Sequence, residues 1–226
     1  MAGRRRKKKR NRYRKHIIIW VLLLLVAAYF CDDKLQQTLH KMPSEADWEL
    51  IVVNKWNTIP DGYQTELTTL SNGKQIASRI YPALQDLFDA MRADGIYPIV
   101  REGYRTTTDQ QSILDDKIKA YEQEGLSSLL AKKMASEWVA APGTSEHQLG
   151  IAVDINADKT KSTNDEVYTW LAEHAWEYGF ILRYPKDKEN VTGTGYEPWH
   201  YRYVGKEAAK EIWQEGCCLE EYVTQN

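Results

Sequence analysis

Cysteine is scarce. Three occur in 226 residues, Cys31, Cys217 and Cys218. No two stand at CxxC spacing, so neither a thiolate zinc site nor a disulfide scaffold is signalled. Adjacent Cys217 and Cys218 could bridge each other only with strain and read as structural passengers. The GxSxG elbow of a serine hydrolase is missing, and there is no internal repeat. Acid is also missing from the first sixteen residues, MAGRRRKKKRNRYRKH, which hold ten Lys or Arg. The overall charge of −2 hides this asymmetry: beyond the arm, thirty-two acidic residues face twenty basic ones. An acidic body argues against nucleic acid as a partner.

The basic arm runs directly into an apolar segment. Ile17 to Phe30, IIIWVLLLLVAAYF, is uncharged, and a basic flank before an apolar run is the pattern of an export signal. The flank should remain in the cytoplasm and send the rest of the chain outside. As a helix the run spans about 21 Å at 1.5 Å per residue, less than the ~30 Å hydrocarbon core. Snorkelling Arg14 and Lys15 and interfacial Tyr29 and Phe30 can close that gap. The expectation is an uncleaved single-pass anchor in the cytoplasmic membrane. The alternative is secretion after cleavage at Val26-Ala27-Ala28; the bulky Phe30 before Cys31 argues against a lipoprotein. The expected organisation is a basic cytoplasmic arm 1–16, a transmembrane signal-anchor 17–31, a polar linker 32–46 and one catalytic-size domain 47–226.

Within that domain, WELIVVN at Trp48–Asn54 reads as a strand. Ile80, Leu84, Leu87, Phe88 and Met91 recur at helical spacing, with Gly95 as a stop. Ile96–Val100 reads as a strand. Helices come next at Asp109–Glu122, with Ile113, Leu114, Ile118 and Tyr121 on one face, and at Ser127–Val139. Ile151, Val153 and Ile155 alternate with Ala152 and Asp154, a strand that turns Asp154 away from its apolar neighbours. Val167–Tyr178 reads as a helix stopped by Gly179, Asn190–Tyr196 as a Gly/Thr-rich loop, Trp199–Val204 as a strand and Lys206–Gln214 as a last helix.

The chemistry-bearing stretch is SEHQLGIAVDI, Ser145–Ile155. Its His147 and Asp154, fully extended, would lie about 23 Å apart at 3.3 Å per residue, whereas ligands of one zinc sit within a few ångströms of each other, given bonds of about 2.0–2.2 Å. The pair can share a metal only if the chain turns between them, and Gly150 tolerates the dihedrals such a turn needs. A third ligand must come from elsewhere. His16 lies on the cytoplasmic side and His40 in the linker. His174 falls on the apolar stripe of its helix with Val167, Trp170, Leu171 and Tyr178, and reads as a core histidine. His200 ends GYEPWH, three residues after Glu197, with Pro198 suited to a turn. Zinc lowers the pKa of water to about 7, and a nearby Glu can take the proton.

Each piece alone is common, but the set is specific. SEHQLGIAVDI and EPWHYRYVG closely resemble the signature segments of the zinc D,D-carboxypeptidases of bacterial cell walls, the VanY type, whose L,D-carboxypeptidase members share them. GYRTTTDQ, Gly103–Gln110, resembles that family's Gly-Tyr-Arg motif with a Gln five residues on, and IVVNK is similar to its first strand. The resemblance covers about Trp48 to Gly205. It implies an α+β fold, with an antiparallel sheet carrying one zinc amid surrounding helices, preceded here by the membrane helix. It implies zinc on His147, Asp154 and His200, and Glu197 as general base. Arg105 would bind substrate and stabilise the oxyanion, with Gln110 and Ser145 as further substrate contacts. The implied partner is a peptidoglycan stem peptide, from which a C-terminal D-alanine is removed. Glu102 and Leu149 depart from the family's usual Ser and Thr, which could alter the pocket.

The chemistry stands without the family. Arg105 can stabilise an oxyanion or grip a terminal carboxylate through two parallel hydrogen bonds; otherwise it would pair with Asp109 on the surface. A serine hydrolase built on Ser145, His147 and Asp154 would leave Glu197 and His200 without a role. A non-catalytic wall-binding protein on the same fold would be marked by loss of the base or of Arg105, and both are present.

Overall fold

The structure is a computed structural model that describes residues 48–225. The basic arm, the expected anchor and the linker lie outside the described residues. Among those described, no helix is long and apolar enough to cross a membrane.

The fold is mixed α+β. A hairpin of β1 (Leu67–Thr69) and β2 (Gln75–Ala77) precedes a four-stranded antiparallel sheet of β3 (Pro98–Glu102), β4 (Ala152–Ala157), β5 (Phe180–Leu182) and β6 (His200–Tyr203). The strand order is β3-β4-β6-β5. The helices are α1 (Tyr81–Ala93), α2 (Thr107–Gln123), α3 (Ser128–Ser136), α4 (Asn164–His174), a single turn α5 (Glu189–Thr192), α6 (Lys206–Glu215) and α7 (Leu219–Gln225).

Strand β4 decides which side of the sheet is chemical. Val153, Ile155 and Ala157 enter the main apolar core, so Asp154 and Asn156 face the other way. Strand β6 pairs with it so that Ala152 lies opposite Arg202, Val153 opposite Tyr201 and Asp154 opposite His200. Tyr201 joins the core, so His200 and Arg202 share the face of Asp154. The core is closed by α1, through Leu84, Leu87, Phe88 and Met91, and by α4, through Val167, Trp170 and Leu171. A second apolar cluster joins Ile181 and Val204 to Ala209 and Ile212 of α6 and to Leu219 and Tyr222 of α7.

The helix stops are local. At the end of α1 the amide of Ile96 donates to the carbonyl of Met91 (2.9 Å) and that of Gly95 to Arg92 (3.0 Å), the paired bonds of a Schellman turn. Helix α2 starts earlier than expected because Thr106 and Asp109 form a reciprocal capping box. Its one fully buried residue is polar, Gln110, while Ile113, Leu114, Ile118 and Tyr121 are only half-buried. Helix α4 gives way to a 3₁₀ turn, Ala175–Tyr178, before Gly179.

Trp48–Asn54 is not a strand. A 3₁₀ turn at Trp48–Leu50 leads into an extended stretch without a neighbouring strand. Its alternation is real: Ile51 and Val53 enter the main core and Val52 the second cluster. The carbonyls of Glu49 and Ile51 accept from Arg202 Nη2, at 3.0 and 2.9 Å, so a guanidinium supplies what a strand ladder would. The β1–β2 hairpin, strand β5, the single turn α5 at the start of the expected Asn190–Tyr196 loop and helix α7 have no counterpart in the sequence reading; Asn72-Gly73 in the hairpin's turn was the available signal. Cys217 and Cys218 are free, and Cys218 is buried.

Gly150 ends a 3₁₀ turn, Glu146–Leu149, at φ 74°, and a Cβ there would lie 3.1 Å from the amide nitrogen of Ala77. Gly150→Ala should lower the unfolding free energy by about 1–2 kcal/mol for the left-handed conformation alone, seen as a lower urea midpoint. An unchanged midpoint would contradict the turn described.

Candidate metal centre

His147 sits inside the Glu146–Leu149 turn. Its carbonyl accepts from the amides of Gly150 (3.1 Å) and Arg105 (3.2 Å), tying the turn to the segment after β3. The ring Nδ1 lies 2.7 Å from the carbonyl oxygen of Gly103. A carbonyl can only accept, so Nδ1 carries the proton and Nε2 presents a lone pair. Gly103 itself is pressed against β2, where a Cβ would stand 2.2 Å from the carbonyl oxygen of Gln75.

The lone pair of His147 Nε2 points at Asp154 Oδ1, 3.4 Å away. The same oxygen lies 3.0 Å from His200 Nδ1. The two imidazoles meet edge to face, with centroids 4.8 Å apart. The three ligating atoms all lie within 4.8 Å of one another. Two acceptors facing each other, His147 Nε2 and a carboxylate, call for a cation between them, and the N,O,N donor set suits zinc. The turn expected between His147 and Asp154 is therefore present, and the third partner is His200. His174 is not a core residue: its side chain is 41% exposed and its Nδ1 lies 3.0 Å from Glu177 Oε1. It packs beside Trp170, outside the cluster.

Charge is set by this packing. Burial works against the Asp154 carboxylate, but His147 and His200 outweigh it and hold the carboxyl well below its ordinary range. Burial pulls the His147 pKa down, against Asp154. His200 is pushed up to about 9, burial being outweighed by Asp154, Glu146 and Glu197. Glu197 is raised above an ordinary glutamate, chiefly by burial and further by the charge of Asp154.

Glu197 is held by a turn. The amide of His200 donates to its carbonyl (3.1 Å), and its own amide donates to the carbonyl of Tyr184 (3.2 Å). Its carboxylate lies 3.7 Å from His200 Nδ1 and is not one of the clustered ligands. Arg105 places Nη2 3.6 Å from Asp154 Oδ2 and donates from Nη1 to Gln110 Oε1 (3.3 Å). Its buried Nε has no hydrogen-bond partner within the protein. Asp109 is taken up by the cap of α2, so Arg105 faces the site. Gln110 also donates to the carbonyl of Ala140 (2.7 Å), which ties Arg105 to the rim. These groups line a cleft of about 210 Å³ that also receives Ser145, Trp138 and Lys55. Glu102 and Leu149 do not line it: Glu102 pairs with Lys74 (2.6 Å) and Leu149 lies in the core. Ser145 has no available base, because Nδ1 of His147 is committed to Gly103 and Nε2 to the side of Asp154.

Residues 73–206 match the family model VanY, D-alanyl-D-alanine carboxypeptidase. The chain belongs to the VanY family. It is 58% identical to a D-alanyl-D-alanine carboxypeptidase of Enterococcus faecalis over 82% of this chain and 69% of that protein. It resembles a crystal structure of the vancomycin-resistance D,D-pentapeptidase VanY in complex with Zn(II), at 60% identity and TM-score 0.76, covering 78% of this chain and 99% of that one. It also resembles the LD-carboxypeptidase LdcB, at 35% identity and TM-score 0.66, over 77% of this chain and 85% of that one.

A second layer of charged residues stands behind His147, Asp154 and His200. Glu146 is fully buried between Arg183 Nε (2.7 Å) and Arg202 Nη1 (2.8 Å). Arg183 in turn holds both oxygens of Glu220, at 2.8 and 2.6 Å. Tyr184 packs its ring 4.8 Å from that of His200. Glu146 and Arg202 lie inside the two quoted segments, but their link to Arg183 and Glu220 joins distant parts of the chain and has no local signature.

Wild type and His174→Ala should each bind one zinc. At a free zinc concentration of 100 times Kd, both should gain about 2.7 kcal/mol of unfolding free energy. His147→Ala should gain none. Loss of zinc binding in His174→Ala would contradict the geometry.

Proposed function

We propose that this chain is a zinc-dependent D,D-carboxypeptidase that removes the C-terminal D-alanine from peptidoglycan stem peptides. The observation that carries the reading is the convergence of His147, Asp154 and His200 in one cleft with Glu197 and Arg105. The D,D preference is supported by the D,D names of the relatives near 60% identity, against 35% for LdcB.

Zinc held by His147, Asp154 and His200 supplies a Lewis acid that polarises a carbonyl and makes water a usable nucleophile near neutral pH. The rest falls to the chain. Glu197 stands beside His200 without joining the ligands, so its carboxylate is free to take the proton of the attacking water. Its raised pKa brings it nearer the operating pH of a base. As the new C–O bond forms, charge collects on the carbonyl oxygen. Arg105, with an unpartnered Nε–H and with Nη1 held by Gln110, can donate to that oxygen or to the terminal carboxylate. Glu197 then passes its proton to the amine as the C–N bond breaks, giving D-alanine and the shortened stem. Ser145, at the cleft wall, serves as a further substrate contact.

In this proposal the domain lies outside the cytoplasmic membrane, with residues 1–16 inside and 17–31 as the anchor; cleavage after Ala28 would release it instead. The support is ten basic residues ahead of an uncharged apolar run.

Two experiments test the proposal. Glu197→Gln keeps the shape of the side chain but removes its basicity. It should retain zinc while kcat for a pentapeptide stem falls about 10²–10⁴-fold, and product masses should show pentapeptide trimmed faster than tetrapeptide. Wild-type turnover in this variant, or preference for the tetrapeptide, would overturn the base or the D,D assignment respectively. Separately, a reporter fused after Asn226 should be active only in its exported form, and cytoplasmic activity would overturn the topology.

A further inference from the structure

Three buried side-chain nitrogen or oxygen atoms among the described residues lack a hydrogen-bond partner: Arg105 Nε, Glu146 Oε2 and His200 Nε2. The first faces the cleft. The other two face each other, 3.7 Å apart. That is longer than a hydrogen bond, and a relative shift of under about 1 Å would close it.

Glu146 is not free to look elsewhere. Its Oε1 accepts from both Arg183 and Arg202. Arg202 is fixed in turn by the carbonyls of Glu49, Ile51 and Tyr203. Arg183 is fixed by Glu220 of α7, whose Oε1 also takes Asn54 Nδ2 at 3.0 Å. Two carboxylates and two guanidiniums thus balance in a nearly dry interior. Buried ion pairs contribute little net stability compared with apolar packing. A purely structural cross-link between α7 and the sheet would not need to leave one carboxylate oxygen unsatisfied and aimed at an imidazole.

The imidazole supplies the matching requirement. If His200 meets the metal through Nδ1, the nitrogen nearest Asp154, then as a neutral ligand it carries its proton on Nε2. A metal-bound histidine usually donates that second N–H to an oxygen which fixes the tautomer and the ring orientation. We propose that Glu146 is this positioning residue: its Oε2 accepts the Nε2–H of His200, and Arg183 and Arg202 hold it there. The inference rests on His200 being a zinc ligand.

The full chain, labelled with ¹⁵N-histidine and loaded with zinc, should show His200 with zinc on Nδ1 and a proton on Nε2. Zinc on Nε2 would overturn the role of Glu146 while leaving the metal site standing; zinc on neither nitrogen would overturn the metal site itself. Glu146→Gln cannot satisfy both sides, because its amide group must face either the guanidiniums or the Nε2–H. Its zinc Kd, from chelator competition, should rise about 10–100-fold. Glu220→Gln loosens α7 but leaves Glu146 in place, so it should lower the unfolding midpoint with less than about a twofold change in Kd. An unchanged Kd in Glu146→Gln, or equal losses of zinc in both variants, would make the network structural only. Should Glu146→Gln not fold, the wild-type spectrum decides alone.

Discussion

Asp154 and His200 stand directly opposite each other across the β4–β6 ladder, and the site depends on that register. Opposed residues on one face of an antiparallel pair bring their Cβ atoms to about 4.5–5.5 Å, the separation at which a carboxylate and an imidazole can share an ion. A slip by one residue would turn His200 toward the apolar core and Tyr201 toward the site. The register is fixed by the apolar set Val153, Ile155 and Tyr201, so the core and the metal centre are specified by the same alternation. His147 is added to this pair by a turn, and Gly103 and Gly150 are the points where backbone approaches backbone too closely for a side chain.

Beyond the strands, the site is organised by electrostatics in a dry setting. Each ligand has its other contacts assigned. His147 spends Nδ1 on a carbonyl, which leaves its Nε2 lone pair for a cation. Asp154 collects two imidazoles and a guanidinium. His200 has a carboxylate behind it and another beside it. The two carboxylates near His200 differ in surroundings. Glu146 lies between two arginines, which outweigh burial and keep it ionised well below the ordinary carboxylate range. Glu197 lies at the cleft, where burial and the charge of Asp154 outweigh His200 and Arg105, and it is raised. One is suited to hold position, the other to exchange a proton.

The cluster of His147, Asp154 and His200 was legible because they sit in short segments whose spacing carries chemistry: a His and an Asp separated by a turn-permitting Gly, and a Glu three residues before a His. Strand β4 and helix α1 were legible because their apolar periods are unbroken. Trp48–Asn54 misled because alternation reports burial on two sides and says nothing about who satisfies the backbone; there it is Arg202, about 150 residues away. His174 misled because a residue on an apolar stripe can still lie at its edge. The second layer was illegible for a related reason. Arg183 lies 37 residues from Glu146 on one side and 37 from Glu220 on the other, and only the fold makes them one cluster.

The proposed function turns on one metal ion that His147, Asp154 and His200 would hold together. Anomalous diffraction from crystals grown with zinc would locate that ion. A single strong site is expected about 2.0–2.2 Å from His147 Nε2, an Asp154 carboxylate oxygen and His200 Nδ1, with Glu197 beside it and outside bonding distance. Zinc bound away from these three side chains, or with Glu197 replacing one of them, would contradict the assignment.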